Sequence, residues 1–269
     1  MEIKKYLVAV RGGGDLATGV VHRLMQSGFK VVILEIPNPT VIRRTVAFAT
    51  AVYCGTAEVE GVAAVKVNNV EEAWNCINFN RVPVLVDPLA ASVSELKPHI
   101  LVDAILAKRN LGTSINMAPV VIGLGPGFCA GEDVHAVVET NRGHNLGRVF
   151  YKGTAEPNTG IPGVIGGFGN QRVLRAPVNG VVRNVREICT AVKCGEVVAY
   201  VGDVPVISNL DGVLRGLIMD GLTVGKNLKI GDVDPRCKIE YCYSISDKAR
   251  AIGGGVLEAI LYYLRGGES

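Results

Sequence analysis

The first half of the chain alternates short apolar runs with stretches of helical period. The run LVAV over residues 7–10 breaks at Gly12, Gly13 and Gly14 and restarts with Leu16, Val20 and Leu24 at helical spacing, closed by Gly28. That succession predicts strand, tight turn and helix. KVVILE over Lys30–Glu35 predicts a second strand and AAVKV over 63–67 a third. RVPVLVD over 81–87 and ILVD over Ile100–Asp103 follow, each ending in an acid. Val70, Ala73, Trp74 and Ile77 mark one face of a helix over 69–78. Strands alternating with helices predict a parallel sheet whose ligands sit beyond the carboxyl ends of the strands. The expected fold class is α/β, with a Rossmann-like sheet over residues 1–112.

From residue 113 the period changes. VVIGL over Val120–Leu124 predicts a buried strand, and Gly123, Gly125 and Gly127 with Pro126 make a second glycine-rich turn. Cys129, Asp133, His135, Glu139, Arg142, His144 and Arg148 follow closely, so 113–170 reads as a glycine-rich site segment. Over 171–240, APVNGVVR from Ala176 aligns with SNLDGVLR from Ser208, and the copies later reach Gly202-Asp203 and Gly231-Asp232. Such a repeat predicts a β-rich, pseudo-symmetric domain similar to the biotinyl and lipoyl carriers, a barrel-sandwich hybrid. The tip GDVP at 202–205 has no lysine for biotin or lipoate, which points to a structural or docking module. Residues 241–269 are expected to carry a C-terminal helix, Asp247–Leu264, capped by Ser246 and packed back on the amino-terminal sheet. Gly253, Gly254 and Gly255 inside it cost roughly 1 kcal/mol each against alanine, so a close backbone approach is expected there.

The candidate chemistry starts at the first turn. Gly12, Gly14 and Ala17 fit the G-x-G-x-x-G/A spacing of dinucleotide-binding turns, which places Gly12, Gly13, Gly14, Asp15 and Thr18 at phosphates. Glu35, 23 residues after Gly12, is the candidate ribose contact, near the usual offset of about 20. Two features oppose a ligand. Such a turn needs glycine even when empty, and the Asp15 carboxylate competes with phosphate for the helix N-H groups. Arg43 and Arg44 are candidate phosphate clamps or simply a solvated pair. Gly125 and Gly127 form a candidate anion nest facing the reactive end of the ligand. Catalytic candidates are Asp103, Lys108, Cys129, Asp133 and His144, with Cys129 read as a thiolate held by nest N-H groups or as a small packed residue. Asp87 and Asp103 read as rim acids or as turn caps.

Composition narrows the classes. The chain has 269 residues, 48% hydrophobic and 20% charged, enough for a sizeable core without a membrane span. A net charge of +3 with no long basic cluster does not suggest nucleic acid. Seven cysteines and no secretory signal suggest reduced thiols in the cytoplasm. The C-x4-C pairs at Cys189/Cys194 and Cys237/Cys242 are wider than usual zinc spacing, so no metal is expected.

These segments together resemble the YqeB family of selenium-dependent molybdenum hydroxylase system proteins. The likeness is carried by RGGGDLATG at 11–19, IRRT at 42–45, VDAILAKRN at 102–110, GLGPGFCAG at 123–131 and PNTGIPG at 157–163. The resemblance implies an accessory role in maturing molybdenum hydroxylases, with a Rossmann part similar to the XdhC maturation factor. It implies a nucleotide-bearing ligand, the dinucleotide form of the molybdenum cofactor, and a hydroxylase apoprotein as partner. An NAD(P)-dependent oxidoreductase using Asp103, Lys108 or His144 is the second reading. A non-catalytic docking scaffold is the third. Whether the chain forms a homo-oligomer, and whether it catalyses anything, stay open.

Overall fold

A computed structural model describes residues 2–267. The described residues divide into two units, the first made of residues 2–39, 47–158 and 245–267, the second of 40–46 and 159–244.

The strands of the first unit are β1 (Leu7–Arg11), β2 (Lys30–Glu35), β3 (Thr56–Val59), β4 (Val62–Val67), β5 (Val82–Val86), β6 (Ile100–Asp103), β7 (Val120–Leu124), β8 (Cys129–Ala130), β9 (Ala136–Val138), β10 (Val149–Phe150) and β11 (Gly153–Thr154). Nine of them form one sheet in the order β10-β9-β7-β6-β1-β2-β5-β4-β3. It is parallel from β9 to β4, with antiparallel β10 and β3 at its edges. β8 and β11 pair as a separate ribbon. All of β1 is buried under helices on both faces, so its residues are apolar except the last, Arg11. Helix α1 (Asp15–Gln26) follows the glycine turn, and α2 (Ala51–Cys54), α3 (Val70–Asn78) and α4 (Val93–Leu96) lie in later connections. In α3, Asn69 accepts from the Glu72 N-H at 2.8 Å, while Val70, Ala73 and Ile77 enter the core beside Leu7 and Ala9 of β1. The segment 113–170 is not set apart as the sequence suggested. Its runs VVIGL and AVV are apolar enough to be buried, and as β7 and β9 they extend the parallel sheet.

Helix α5 (Asp247–Leu264) packs against α1. Ser246 caps it, its Oγ accepting from the Ala249 N-H at 3.2 Å. Glycines make the crossing close. A Cβ on Gly19 would lie 2.6 Å from Ala249 Cβ, one on Gly253 2.9 Å from the Gly19 carbonyl oxygen, and one on Gly255 2.2 Å from the Gly147 carbonyl oxygen. Gly254 has nothing within 4 Å.

The second unit contains β12 (Val173–Arg175), β13 (Gly180–Asn184), β14 (Ala191–Val192), β15 (Val197–Val201), β16 (Val204–Ile207), β17 (Gly212–Leu217), β18 (Thr223–Val224) and β19 (Lys229–Asp234). They form two antiparallel sheets, β12-β19-β17-β14 and β16-β15-β13-β18, with no closed barrel among the described residues. Exchanging each strand of the first repeat, β12 to β15, with its counterpart in the second, β16 to β19, converts one sheet into the other. The register corrects the sequence alignment at its end. Val182 pairs with Val201 and Leu214 with Val233, so Gly202-Asp203 corresponds to Asp234-Pro235, not to Gly231-Asp232. The core between the sheets includes Val182, Val201, Leu214 and Val233. Residues 40–46 belong to this unit, where the Leu217 N-H donates to the Ile42 carbonyl at 2.9 Å.

The two kinds of glycine in α5 separate by substitution. Gly255→Ala is expected to lose about 1–3 kcal/mol by overpacking, whereas Gly254→Ala is expected to gain up to about 1 kcal/mol of helix propensity. Urea unfolding of the two variants checks both signs.

Candidate functional site at the carboxyl edge of the sheet

The strand order turns around at β1. From β1 the chain proceeds to β2 on one side, while β6 and then β7 lie on the other, which makes the carboxyl ends of β1 and β6 the crevice where open α/β sheets place ligands. Arg11 ends β1 and Asp103 ends β6, paired residue to residue. Both are almost fully buried, at 3% and 2% exposed. Their charges are 3.5 Å apart, and the buried Thr113 hydroxyl joins them, accepting from Arg11 Nη1 and donating to Asp103 Oδ2, each at 2.5 Å. Arg11 Nη2 also donates to the Pro88 and Leu111 carbonyls. One guanidinium thus ties together the connections after β5 and β6. Sequence reasoning used Asp103 but assigned no role to Arg11 or Thr113. The available signal was a charge closing an otherwise apolar strand directly before the glycines.

The first glycine turn is packed by the protein itself. The Gly12 N-H donates to the Leu34 carbonyl at 2.8 Å, and a Cβ on Gly12 would lie 3.1 Å from the Ala104 carbonyl oxygen. The Gly13 N-H donates to Glu35 Oε2 at 2.7 Å, while the Gly13 carbonyl accepts from the Ala49 N-H at 2.9 Å. Thr18 is buried, its Oγ1 accepting from the Phe48 N-H at 2.9 Å and donating to the Gly13 carbonyl. Glu35 therefore does not reach for a ribose. Its other oxygen accepts from the Ile36 N-H at 2.7 Å, and the side chain lies inside. Burial raises its carboxyl above the ordinary 4.5, against the smaller lowering effect of the Ile36 and Gly13 donors. Asp15 opens α1 after Gly14, and no side-chain cap is made by Gly14.

Arg43 and Arg44 lie away from the first glycine turn in sequence and bind backbone carbonyls. Both belong to the second unit, where backbone carbonyls hold them: Arg43 donates to Tyr241 at 2.8 Å and Ser244 at 2.9 Å, and Arg44 Nε to Leu217 at 2.7 Å.

At the second glycine turn, Gly125 donates to the Val138 carbonyl at 2.9 Å, and a Cβ there would meet Thr140 Oγ1 at 2.4 Å. Gly127 lies against Arg109, whose Cα is 2.6 Å from where a Cβ would stand. The loop 104–110 is thus wedged between the two glycine turns. Within it, Leu106 and Lys108 hold left-handed backbones at φ 60° and 62°, and Lys108 and Arg109 are exposed. Non-glycine residues in that region cost of order 1–3 kcal/mol and gather at functional loops.

The middle cluster mostly serves the backbone. Asp133 accepts from the Cys129 N-H at 2.8 Å and so closes a turn. Burial, followed by the neighbouring charges of Glu132 and Asp133, raises the Cys129 thiol, the opposite of an activated thiolate. His135 Nδ1 accepts from the Val121 N-H at 3.0 Å, and burial lowers its pKa. Glu139, fully buried, accepts from the N-H groups of Asn141 and Glu156 at 2.6 and 2.8 Å. His144 is exposed in the loop that follows. Asp87 caps the next turn through the Ala91 N-H and the Ser92 N-H and hydroxyl. Burial alone would raise it, but these donors and Arg11 outweigh burial and leave it lowered. Among the described residues no group of three or more His, Cys, Asp or Glu is arranged to hold a metal ion, and no helix is long and apolar enough to cross a membrane.

Removing the guanidinium isolates a buried carboxylate, so Arg11→Met is expected to cost about 3–5 kcal/mol in chemical unfolding. Glu35 has a pH signature. With its folded pKa raised, the linked stability is complete below pH 4.5 and is lost as pH rises through the folded value. The stability of wild type relative to Glu35→Gln should therefore increase between pH 7 and pH 4.5. A gap that narrows on acidification would show a carboxylate favoured by its donors.

No family model matches the chain. Among solved structures it is similar to TcdA (CsdL), at 12% identity and a TM-score of 0.33 over 98% of this chain and 89% of that one. The product-bound ectoine utilization protein EutE (DoeB) from Ruegeria pomeroyi gives 10% identity and a TM-score of 0.23, over 84% of this chain and 56% of that one. Neither similarity bears on the fold. The chain is 52% identical over 261 residues to the uncharacterized protein YqeB of Escherichia coli (strain K12), covering 97% of this chain and 48% of that protein. It is thus a close homologue of YqeB that spans about half of that relative's length.

Proposed function

We propose that the protein is an accessory factor in molybdenum hydroxylase maturation that binds an anionic, nucleotide-bearing ligand at the carboxyl edge of its nine-stranded sheet. The observation that carries this reading is the loop 104–110. It lies at the turnaround of strand order, holds two left-handed non-glycine residues, and exposes Lys108 and Arg109 beside Gly127. Exposed cations on a rigid loop suit phosphate oxygens, and arginine adds bidentate geometry. The identity of the ligand, the dinucleotide form of the molybdenum cofactor, rests on the family resemblance.

A pyrophosphate does not fit the first glycine turn as it stands. The Gly12 and Gly13 N-H groups are already donated to the Leu34 carbonyl and to Glu35, and a second carboxylate, Asp15, starts the helix. The ligand is therefore assigned to the loops after β6 and β7, where Lys108 and Arg109 bind and orient it, and no chemical step is assigned to it. The hold of Glu35 on Gly13 favours one second reading, a docking scaffold whose Rossmann-like turn is filled from within.

Thermal melting with cytidine nucleotides, molybdopterin dinucleotide, NAD and NADP separates these readings, since a ligand at 100 times its Kd adds about 2.7 kcal/mol to the folded state. Stabilisation by cytidine nucleotides or the molybdopterin species, lost in Lys108→Ala/Arg109→Ala, is the expected outcome. Stabilisation by NAD or NADP alone, with turnover, would indicate an oxidoreductase. No response to any of them, with tight binding to a hydroxylase apoprotein, would leave the scaffold.

A further inference from the structure

The sequence of α1 places Gly19, His22, Arg23 and Gln26 at i, i+3, i+4 and i+7, so the four share one face of the helix. The start of α5 closes on that face, because Gly19 carries no Cβ to hold Ala249 away. With Ile245 and Arg250 these residues line an open cavity of about 150 Å³. At ~30 Å³ per water it has room for about five, well below the ~300 Å³ at which pockets for drug-sized ligands begin. Size restricts an occupant to a small ion or molecule.

Charge decides what kind. Glu60, in the turn between β3 and β4 with a left-handed backbone at φ 46°, sends its carboxylate to the same place. It accepts from the Ile245 N-H at 2.8 Å and from Arg250 Nη2 at 2.7 and 2.8 Å, and lies 3.8 Å from His22 Nε2. Burial alone would raise its carboxyl, but the Ile245 and Arg250 donors outweigh burial and hold it below 4.5, so it is an anion at neutral pH. One carboxylate therefore stands against the guanidinium groups of Arg23 and Arg250, and positive charge is left over even with His22 neutral. Among the described residues Arg23 makes no ion pair, and Arg250 spends only Nη2 on Glu60. Both arginines keep donors for a second anion.

We propose that this cavity binds a phosphate-sized oxyanion. Arg23 donates to it from α1 and the remaining edge of Arg250 from α5, while the Gln26 amide and the His22 ring add neutral donors. Planar guanidinium groups suit the paired oxygens of a tetrahedral anion, and two of them on different helices hold it without a backbone nest. Glu60 serves as the fixed counter-charge that keeps Arg250 in place when the cavity holds only water, and it weakens the hold on the anion by repulsion. None of the lining comes from loop 104–110, so this site is separate from the one assigned to the nucleotide-bearing ligand.

Titration of the full chain with inorganic phosphate tests this, at constant pH and with chloride holding the ionic strength fixed. The readout is the imidazole proton resonances of the four histidines, the His22 line being identified by its loss in His22→Gln. The His22 line is expected to shift saturably with phosphate and not with chloride. Arg23→Gln, a change at an exposed residue, should weaken binding about tenfold, the worth of one charge-assisted hydrogen bond. Glu60→Gln keeps an acceptor for the Ile245 N-H, removes the competing charge and should tighten binding roughly threefold. Lys108→Ala/Arg109→Ala should leave the titration unchanged. A His22 line that stays still, or follows chloride as well as phosphate, would overturn the proposal. So would an affinity unchanged in Arg23→Gln or weakened in Glu60→Gln, and binding lost in Lys108→Ala/Arg109→Ala would assign the phosphate to loop 104–110 instead.

Discussion

A guanidinium buried at the end of a central strand governs the carboxyl edge of the first unit. Arg11 cannot reach water, so its donors must find acceptors inside the protein, and an unpaired charge there would cost several kcal/mol. The acceptors come from three places in the sequence: Asp103 through Thr113, the Pro88 carbonyl and the Leu111 carbonyl. Meeting that demand fixes where the chain goes after β5 and after β6. The loop carrying Lys108 and Arg109 is bounded by Asp103 and Thr113, and Asn110 exchanges two hydrogen bonds with the Thr113 backbone, at 2.7 and 2.8 Å. The loop is thus presented in one conformation because both of its ends are anchored to a single buried cation.

Glycines on this edge have a second cause beyond turn geometry. At Gly12, Gly13 and Gly127 the space a Cβ would need is occupied by backbone of Ala104, Ala49 and Arg109. These turns are tight because other segments of the chain press on them. A Gly-rich spacing is therefore compatible with a turn whose amides serve the fold, and Glu35 on the Gly13 N-H is the clearest instance. The carboxylate takes the place an external anion would occupy in a phosphate-binding turn. The exposed cations, by contrast, belong to the neighbouring loop, which shifts the ligand reading from the turn to loop 104–110.

Much of this fold was legible in the residues, and the exceptions have definite causes. Fully apolar runs bounded by turns located β1, β2, β5, β6 and β7, because strands buried on both faces leave no polar positions to confuse the period. Ser246 marked a helix start through its cap, whereas Asn69, read as the first helical residue, is the cap of α3. The three glycines of α5 announced a close approach, which is realised at Gly253 and Gly255 but not at Gly254. The edge strands β3 and β10 escaped, since TAEV is half polar and VF too short to show any period. For Glu35, Arg43 and Arg44 the sequence left the partner open, since a charged side chain near a turn looks the same whether it binds a ligand or a backbone group. Only the partner distinguishes them, and for Arg43 the partner carbonyl at Tyr241 is 198 residues away.

The repeat shows how far a shared backbone constrains chemistry. Arg183 of β13 pairs across its sheet with Tyr200, and its guanidinium lies 4.5 Å from the ring centre on an exposed face. The positions corresponding to these two in the second repeat are Arg215 and Asp232, which form a buried ion pair joined by Arg172, Asp234 and Arg236. The same arginine position is stacked on an aromatic ring in one sheet and neutralised by carboxylates in the other, because burial demands a counter-charge where exposure does not. Cys189 and Gly221 follow the same rule with a different outcome. The hydrogen-bonded turn is kept in both copies, and the residue that holds its left-handed backbone is glycine in one and cysteine in the other. Symmetry in this unit therefore belongs to the backbone, and its asymmetry is carried by those few side chains whose surroundings the two copies do not share.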